Sequence, residues 1–306
     1  MTAAELIATV RRLLNDENSQ TYKWTDAELV DYFNTCIDTI AMEANYFIDS
    51  TTTLLTDIAL TAGTADYAFD TRLLDIKSIR IAGETRNLDR TTSKLRDDEE
   101  PTWRFSNSVS GTDIALDTSE ISSTTTDFLE AGFAADDFIQ ITGSATSGNN
   151  KVVKLEAVEQ YSMDLAAGHT LMARVAGDRL VLKQLTTDTP LRYMTDYRTG
   201  YITLSPAPDE DGSMILSVIK LQDTPLTTAI LATPGTYVIP VNYQYHIRLA
   251  NGIMADAYLK SGPSTFNIDK ATVHNARFMK LIDRMKKDMI KLSGTNTILR
   301  PHSGTM

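Results

Sequence analysis

Thr2-Ala-Ala-Glu5 and Thr25-Asp-Ala-Glu28 decide how this chain folds. Each is a capping box: the Thr side chain accepts from the backbone N–H three residues on, and the Glu reaches back to the Thr amide. Each opens an apolar stripe at helical spacing. The first stripe is Leu6, Ile7, Val10, Leu13 and Leu14; the second is Val30, Phe33, Ile37, Ile40, Ala41, Ala44 and Phe47. The polar loop Asn15–Trp24 between them is closed by a tryptophan. Neither helix hides its stripe alone, and the other long helical signals lie at the far C-terminus. There Pro240 opens a stripe of Ile247, Ala250, Ile253, Met254, Ala257 and Tyr258, which Lys260–Pro263 breaks. Phe278, Leu281, Ile282, Met285, Met289 and Leu292 form the next, and Gly294 ends it. The spacing therefore predicts one helical bundle from both chain ends, residues 1–50 with 236–293, with everything between them inserted.

The inserted part reads as β structure. Thr-rich alternation over 50–60, then Tyr67–Asp70 and Leu73–Ile81 with a turn at Ala82-Gly83-Glu84, precede a charged stretch, Asp89–Glu100, read as helix or loop. Arg179–Lys183, Pro190–Tyr193, Gly200–Ser205 and Ser213–Leu221 form a second set, expected to pair with the first. Residues 51–111 and 176–235 are thus one β domain. Between them, residues 112–175 change composition to Thr, Ser, Gly and Asp, with short strand candidates at Ile114–Leu116, Phe138–Ile141, Val152–Leu155 and Met163–Leu165. That stretch is expected to be a small β-barrel or sandwich inserted in the β domain. The whole is α+β, and residues 294–306 form an extended tail, with Pro301, Gly304 and little apolar content.

Composition narrows the role. The chain has 306 residues, a net charge of −11 and 42 % hydrophobic residues. It has no apolar run of membrane-spanning length and no basic-then-apolar leader. The acidity argues against a general nucleic-acid binder. Yet residues 268–306 hold eight Lys/Arg against three Asp, a net +5 that leaves −16 on the rest. Those late cations suit either a solvated face complementing the helix dipole or a basic arm that meets an acidic partner, including another copy of the chain. The stripe-bearing cations are Arg277, Lys280, Arg284, Lys287 and Lys291.

A search for catalytic groups finds little. His169, His246, His274 and His302 lie in unrelated segments, and Cys36 stands alone beside an apolar stripe, as a buried thiol does. No metal-ligand spacing, nucleophile elbow or phosphate loop is present, so no cofactor or metal is expected. The acidic runs Asp97–Glu100 and Asp209–Asp211 read as solvated carboxylates; their alternative use is a carboxylate-based polysaccharide hydrolase.

Glu5–Asp16 with Tyr22–Ile40, and Trp24-Thr-Asp-Ala-Glu-Leu29 above all, resemble the opening of the head-to-tail adaptors of tailed bacteriophages, the podovirus-type family similar to tail tubular protein A. Asp70–Ile79 with Gly83, Pro101–Arg104, Gly200–Pro206 with Pro208, and Ile239-Pro240 with His246, Leu249 and Ala257-Tyr258 follow in the family's order. The resemblance implies a non-enzymatic virion protein of the neck, assembled in the host cytoplasm. It implies a homo-oligomeric ring, typically of twelve, between the portal and the tail nozzle or fibres, with genome DNA passing through without sequence-specific contact. It also implies a C-terminal segment that reaches into the portal, for which Ile298, Leu299 and Arg300 are the anchors here. The basic helix is a second candidate surface, toward a subunit or the portal. Residues 112–175 depart from the family and resemble small β modules of phage tail proteins, through Gly132–Ser144 and Gly148-Asn-Asn150; Ala135 stands where those modules usually have Gly before Asp.

Overall fold

A computed structural model describes residues 1–18, 21–233, 237–262 and 264–292. It is mixed α+β with several antiparallel sheets. Contacts divide the chain into two compact units, Met1–Asp49 with Arg72–Asp75 and Val218–Met306, and Ser50–Thr71 with Ile76–Ser217.

The first unit is built on four helices, α1 (Ala3–Leu14), α2 (Asp26–Ala44), α3 (His246–Leu259) and α4 (Ile268–Leu292). Both capping boxes form: Glu5 N–H donates to Thr2 Oγ1 at 3.2 Å and Glu28 N–H to Thr25 Oγ1 at 3.2 Å, with the Thr amides donating back. Asn15 and Asn45 end α1 and α2 in the left-handed region, φ 54° and 50°, which Asn enters more readily than most residues. The stripes close on one another as the periodicity requires. Leu6, Val10, Leu29, Phe33, Ile37 and Ile40 share a core with Leu249, Ile253, Phe278, Leu281, Ile282 and Met285, all buried.

The loop between α1 and α2 is pinned from inside. Buried Arg11 donates to Asp16 Oδ2 (2.9 Å), to the Trp24 carbonyl (2.9 Å) and to Asp26 (2.5 Å), while Tyr22 lies against the guanidinium. Asp16 also accepts from the amides of Lys23 and Trp24. Trp24 Nε1 then donates to the Ala257 carbonyl at 2.9 Å, tying the loop to the last turn of α3. α3 starts later than Pro240 suggests. A short 3₁₀ turn, Tyr243–Tyr245, intervenes, and the His246 ring pairs through Nε2 with the Val241 carbonyl at 2.7 Å, holding the approach non-helical.

The second unit is β-rich. Seven strands lie side by side in the order Phe105–Gly111, Leu180–Leu185, Phe138–Thr142, Val152–Val158, Ser162–Leu165, Glu120–Ser123, Ile114–Leu116. Pairings such as Leu182↔Ile141 and Val153↔Ile139 bring the alternating apolar side chains together. Ile121, Phe128, Phe133, Met163 and Leu165 fill the core beside them. Among the described residues these strands form no closed barrel, which corrects that expectation: the order runs open from Phe105–Gly111 to Ile114–Leu116. The edge strand Phe105–Gly111 and its neighbour Leu180–Leu185 come from stretches the sequence reading gives to the flanking β runs. Thr186 N–H donates to the Arg104 carbonyl at 3.1 Å, so this segment starts and stops at neighbouring points.

The flanking runs pair as their alternation implies. Asp57–Leu60 lies antiparallel to Gly212–Ile215, and Asp66–Ala68 lies antiparallel to Tyr201–Thr203. One local reading is corrected. Thr53–Thr56 is one helical turn, because the Thr52 carbonyl accepts from the amides of Leu55 and Thr56 and from Thr56 Oγ1. Next to Ala135, Asp136 takes the left-handed conformation, φ 69°, as Gly132 and Gly143 do at φ 88° and 87°. The Asp137 carboxylate, accepting from the Ala134 amide at 2.6 Å, steadies that turn.

Two stability outcomes follow from the helical unit. Asp16→Ala strips the buried Arg11 of its most buried partner and frees two loop amides; a loss of about 3–5 kcal/mol is expected in chemical denaturation. Gly252, inside α3, is the second test. A Cβ there would lie 2.5 Å from Cys36 Sγ and 3.0 Å from the Phe278 ring. Gly252→Ala should therefore destabilise by about 1–3 kcal/mol despite the better helix propensity of Ala. Adding Cys36→Ala should return most of the loss; if it does not, the sulfur is not the obstacle.

Candidate functional site

The chemistry-bearing residues are taken up by the fold. Cys36 is buried, and burial pushes its thiol well above the ordinary value. His274 stacks on Tyr258, its Nδ1 lies 3.1 Å from Asn251 Oδ1, and burial lowers its pKa. His246 is packed at the start of α3. His302 lies outside the described residues. In the run Asp97–Glu100, Asp97 accepts from Trp103 Nε1 at 2.8 Å, Glu99 pairs with Arg192 and Glu100 pairs with Arg96 at 2.9 Å. Asp211 accepts from the Ala62 amide at 2.8 Å. These carboxylates are held in structural contacts. Among the described residues no group of three or more His, Cys, Asp or Glu could hold a metal ion, and no helix is long and apolar enough to cross a membrane.

The basic helix is arranged differently. Arg277, Lys280, Arg284, Lys287 and Lys291 are all exposed on α4. Their spacing of three, four, three and four residues sets them within roughly 80° of the helix circumference, opposite the buried Phe278, Leu281, Ile282 and Met285. Asp288 is the acid beside this stripe. It lies 3.9 Å from Arg284 and 3.7 Å from Lys291, and the Tyr245 hydroxyl donates to it at 2.6 Å. That hydroxyl bond and the cations hold the Asp288 carboxyl below its usual value; burial, with Asp288, pushes the Tyr245 phenol up to about 12. Arg277, Lys280 and Lys287 have no ion-pair partner among the described residues. The tail anchors Ile298, Leu299 and Arg300 lie outside the described residues.

A second feature was not read from the sequence. A groove of about 250 Å³ opens between α3 and the start of α4, walled by Asp256, Leu259, Ile268, Ala271, Thr272 and Asn275. The Asp256 carboxylate is half-buried there and makes no hydrogen bond or ion pair among the described residues, with Tyr32 and Cys36 the groups in its electrostatic reach, and burial raises its pKa. The available signal was a lone acid inside the otherwise uncharged run Gly252–Leu259.

With the capped pair α1–α2 on the page, the comparison with known families is direct. Residues 1–125 match the family model of the SU10 adaptor protein. The resemblance to phage head-to-tail adaptors therefore stands over that stretch, which includes α1, α2 and Trp24. The match covers less than half of the chain. No curated protein matches the chain.

Burial of Cys36 gives a direct check. The folded protein should not react with a thiol reagent at neutral pH, and one thiol should titrate once denaturant is added. Rapid labelling of the native protein would show that the helical core opens around Cys36.

Proposed function

We propose that this chain is a head-to-tail connector of a tailed-phage virion. In this reading it forms a ring, of about twelve copies by the resemblance, beneath the portal and joins it to the tail nozzle or fibres, with DNA passing through the lumen. The observation that carries the proposal is the match over residues 1–125. The charge arrangement supports it: an acidic chain concentrates exposed cations in one line on α4, suited to an acidic protein surface. We assign that line to the portal contact. The seven-stranded segment, Ser/Thr-rich and acidic, is read as an outward-facing part that meets a fibre or nozzle protein.

The test mixes the purified chain with its portal and follows complexes by negative-stain imaging and sedimentation. Rings seated on the portal are expected, weakening as salt rises. Lys280→Glu with Arg284→Glu and Lys287→Glu should abolish seating while changing monomer stability by no more than about 1.5 kcal/mol, at about 0.5 kcal/mol for each exposed substitution. Normal seating by the triple variant would remove α4 from the portal contact, and failure of the native chain to seat would remove the connector reading.

A further inference from the structure

The groove between α3 and α4 has the wrong chemistry to be left empty. A carboxylate withdrawn from water is favoured by a cation that enters with it, and by hydrogen bonds from that cation. Asp256 has neither among the described residues. The rim beside it is apolar: Leu259 is 50 % exposed and Ile268 53 %, side chains that gain from being covered. The fitting occupant is a guanidinium or ammonium adjoining aliphatic side chains.

Within residues 293–306 one place has that composition, Ile298-Leu299-Arg300. We propose that the groove takes these three residues from the tail of a neighbouring copy, Arg300 on Asp256 and the aliphatic pair against Leu259 and Ile268. The assignment rests on the ring reading, which supplies the neighbour. Distance excludes the chain's own tail. At 1.5 Å per residue, Ala271 and Thr272 lie about 30 Å back along α4 from Leu292. Fully extended, a chain reaches at most about 3.6 Å per residue, so Ile298 travels no more than about 22 Å from Leu292 and Arg300 about 29 Å. The three side chains cannot all enter their own groove. The resemblance gives this segment to the portal; the groove provides a seat for it on the chain itself, and a tail passed from copy to copy would link the ring. Repetition around a closed ring makes each weak contact count.

A fluorescent peptide of residues 293–306 titrated into the full-length chain tests the seat by anisotropy. Native chain should bind it, and Asp256→Asn should weaken binding at least about tenfold. That variant removes an unpaired, desolvated charge, so it should melt no lower than native, which separates lost binding from lost folding. A peptide carrying Arg300→Asp should fail on native chain and recover on Asp256→Lys chain. Equal binding to native and Asp256→Asn chains, or none to native, overturns the assignment. Full-length Arg300→Asp then distinguishes the two readings. Rings that form on the portal as stably as native sink the tail exchange and leave the connector standing. Peptide binding that follows Asp256 without any ring on the portal sinks the connector and leaves the groove.

Discussion

The helical unit depends on a buried cation. Arg11 sits among Asp16, Asp26, the Trp24 carbonyl and the Tyr22 ring, and it holds the loop between α1 and α2 in one shape. A buried guanidinium is tolerable only when its donors are met by acceptors in fixed positions. Meeting them fixes where Trp24 points, and Trp24 in turn bonds a carbonyl on α3, 233 residues away in sequence. One polar cluster thus sets the registry between the two chain ends, and the apolar stripes, which are permissive about registry by themselves, pack around it.

This division of labour leaves the outer face of α4 free. Its inner face is committed to Phe278, Leu281, Ile282 and Met285. Its outer face carries cations that the core does not use. The thiol and most of the acidic runs are absorbed into packing and local hydrogen bonds; the unspent charge lies on the outer face of α4 and, for Asp256, in the groove beside it.

How much could be read from the sequence depended on how local the determinants were. The capping boxes and stripes of α1 and α2 are local, and the structure has them where Thr2, Thr25 and the apolar spacing put them. The line of cations on α4 was equally legible, being a matter of spacing. Features set by partners were not. Thr53–Thr56 carries strand-favouring residues, yet the Thr52 carbonyl wins them for a helical turn. Phe105–Gly111 and Leu180–Leu185 alternate like any strand, and nothing in their own sequence says which sheet takes them. Pro240 is a good helix opener, but the His246 ring and the 3₁₀ turn after it delay α3. Asp256 looked like one more polar residue on a helix, because the groove that isolates it is made by α4.

The bond between Thr186 and Arg104 has a consequence for how such a chain changes over generations. A stretch of some eighty residues whose two ends meet across one hydrogen bond interrupts the parent backbone at a single short gap, and Phe105, Phe138 and Leu185 tie it to the host through Ala65 and Ala207. Changes of length are tolerated there more readily than in the helical ends, provided those apolar contacts are kept. Among related chains this is the part where lengths should differ most, with the joints falling at Arg104 and Thr186.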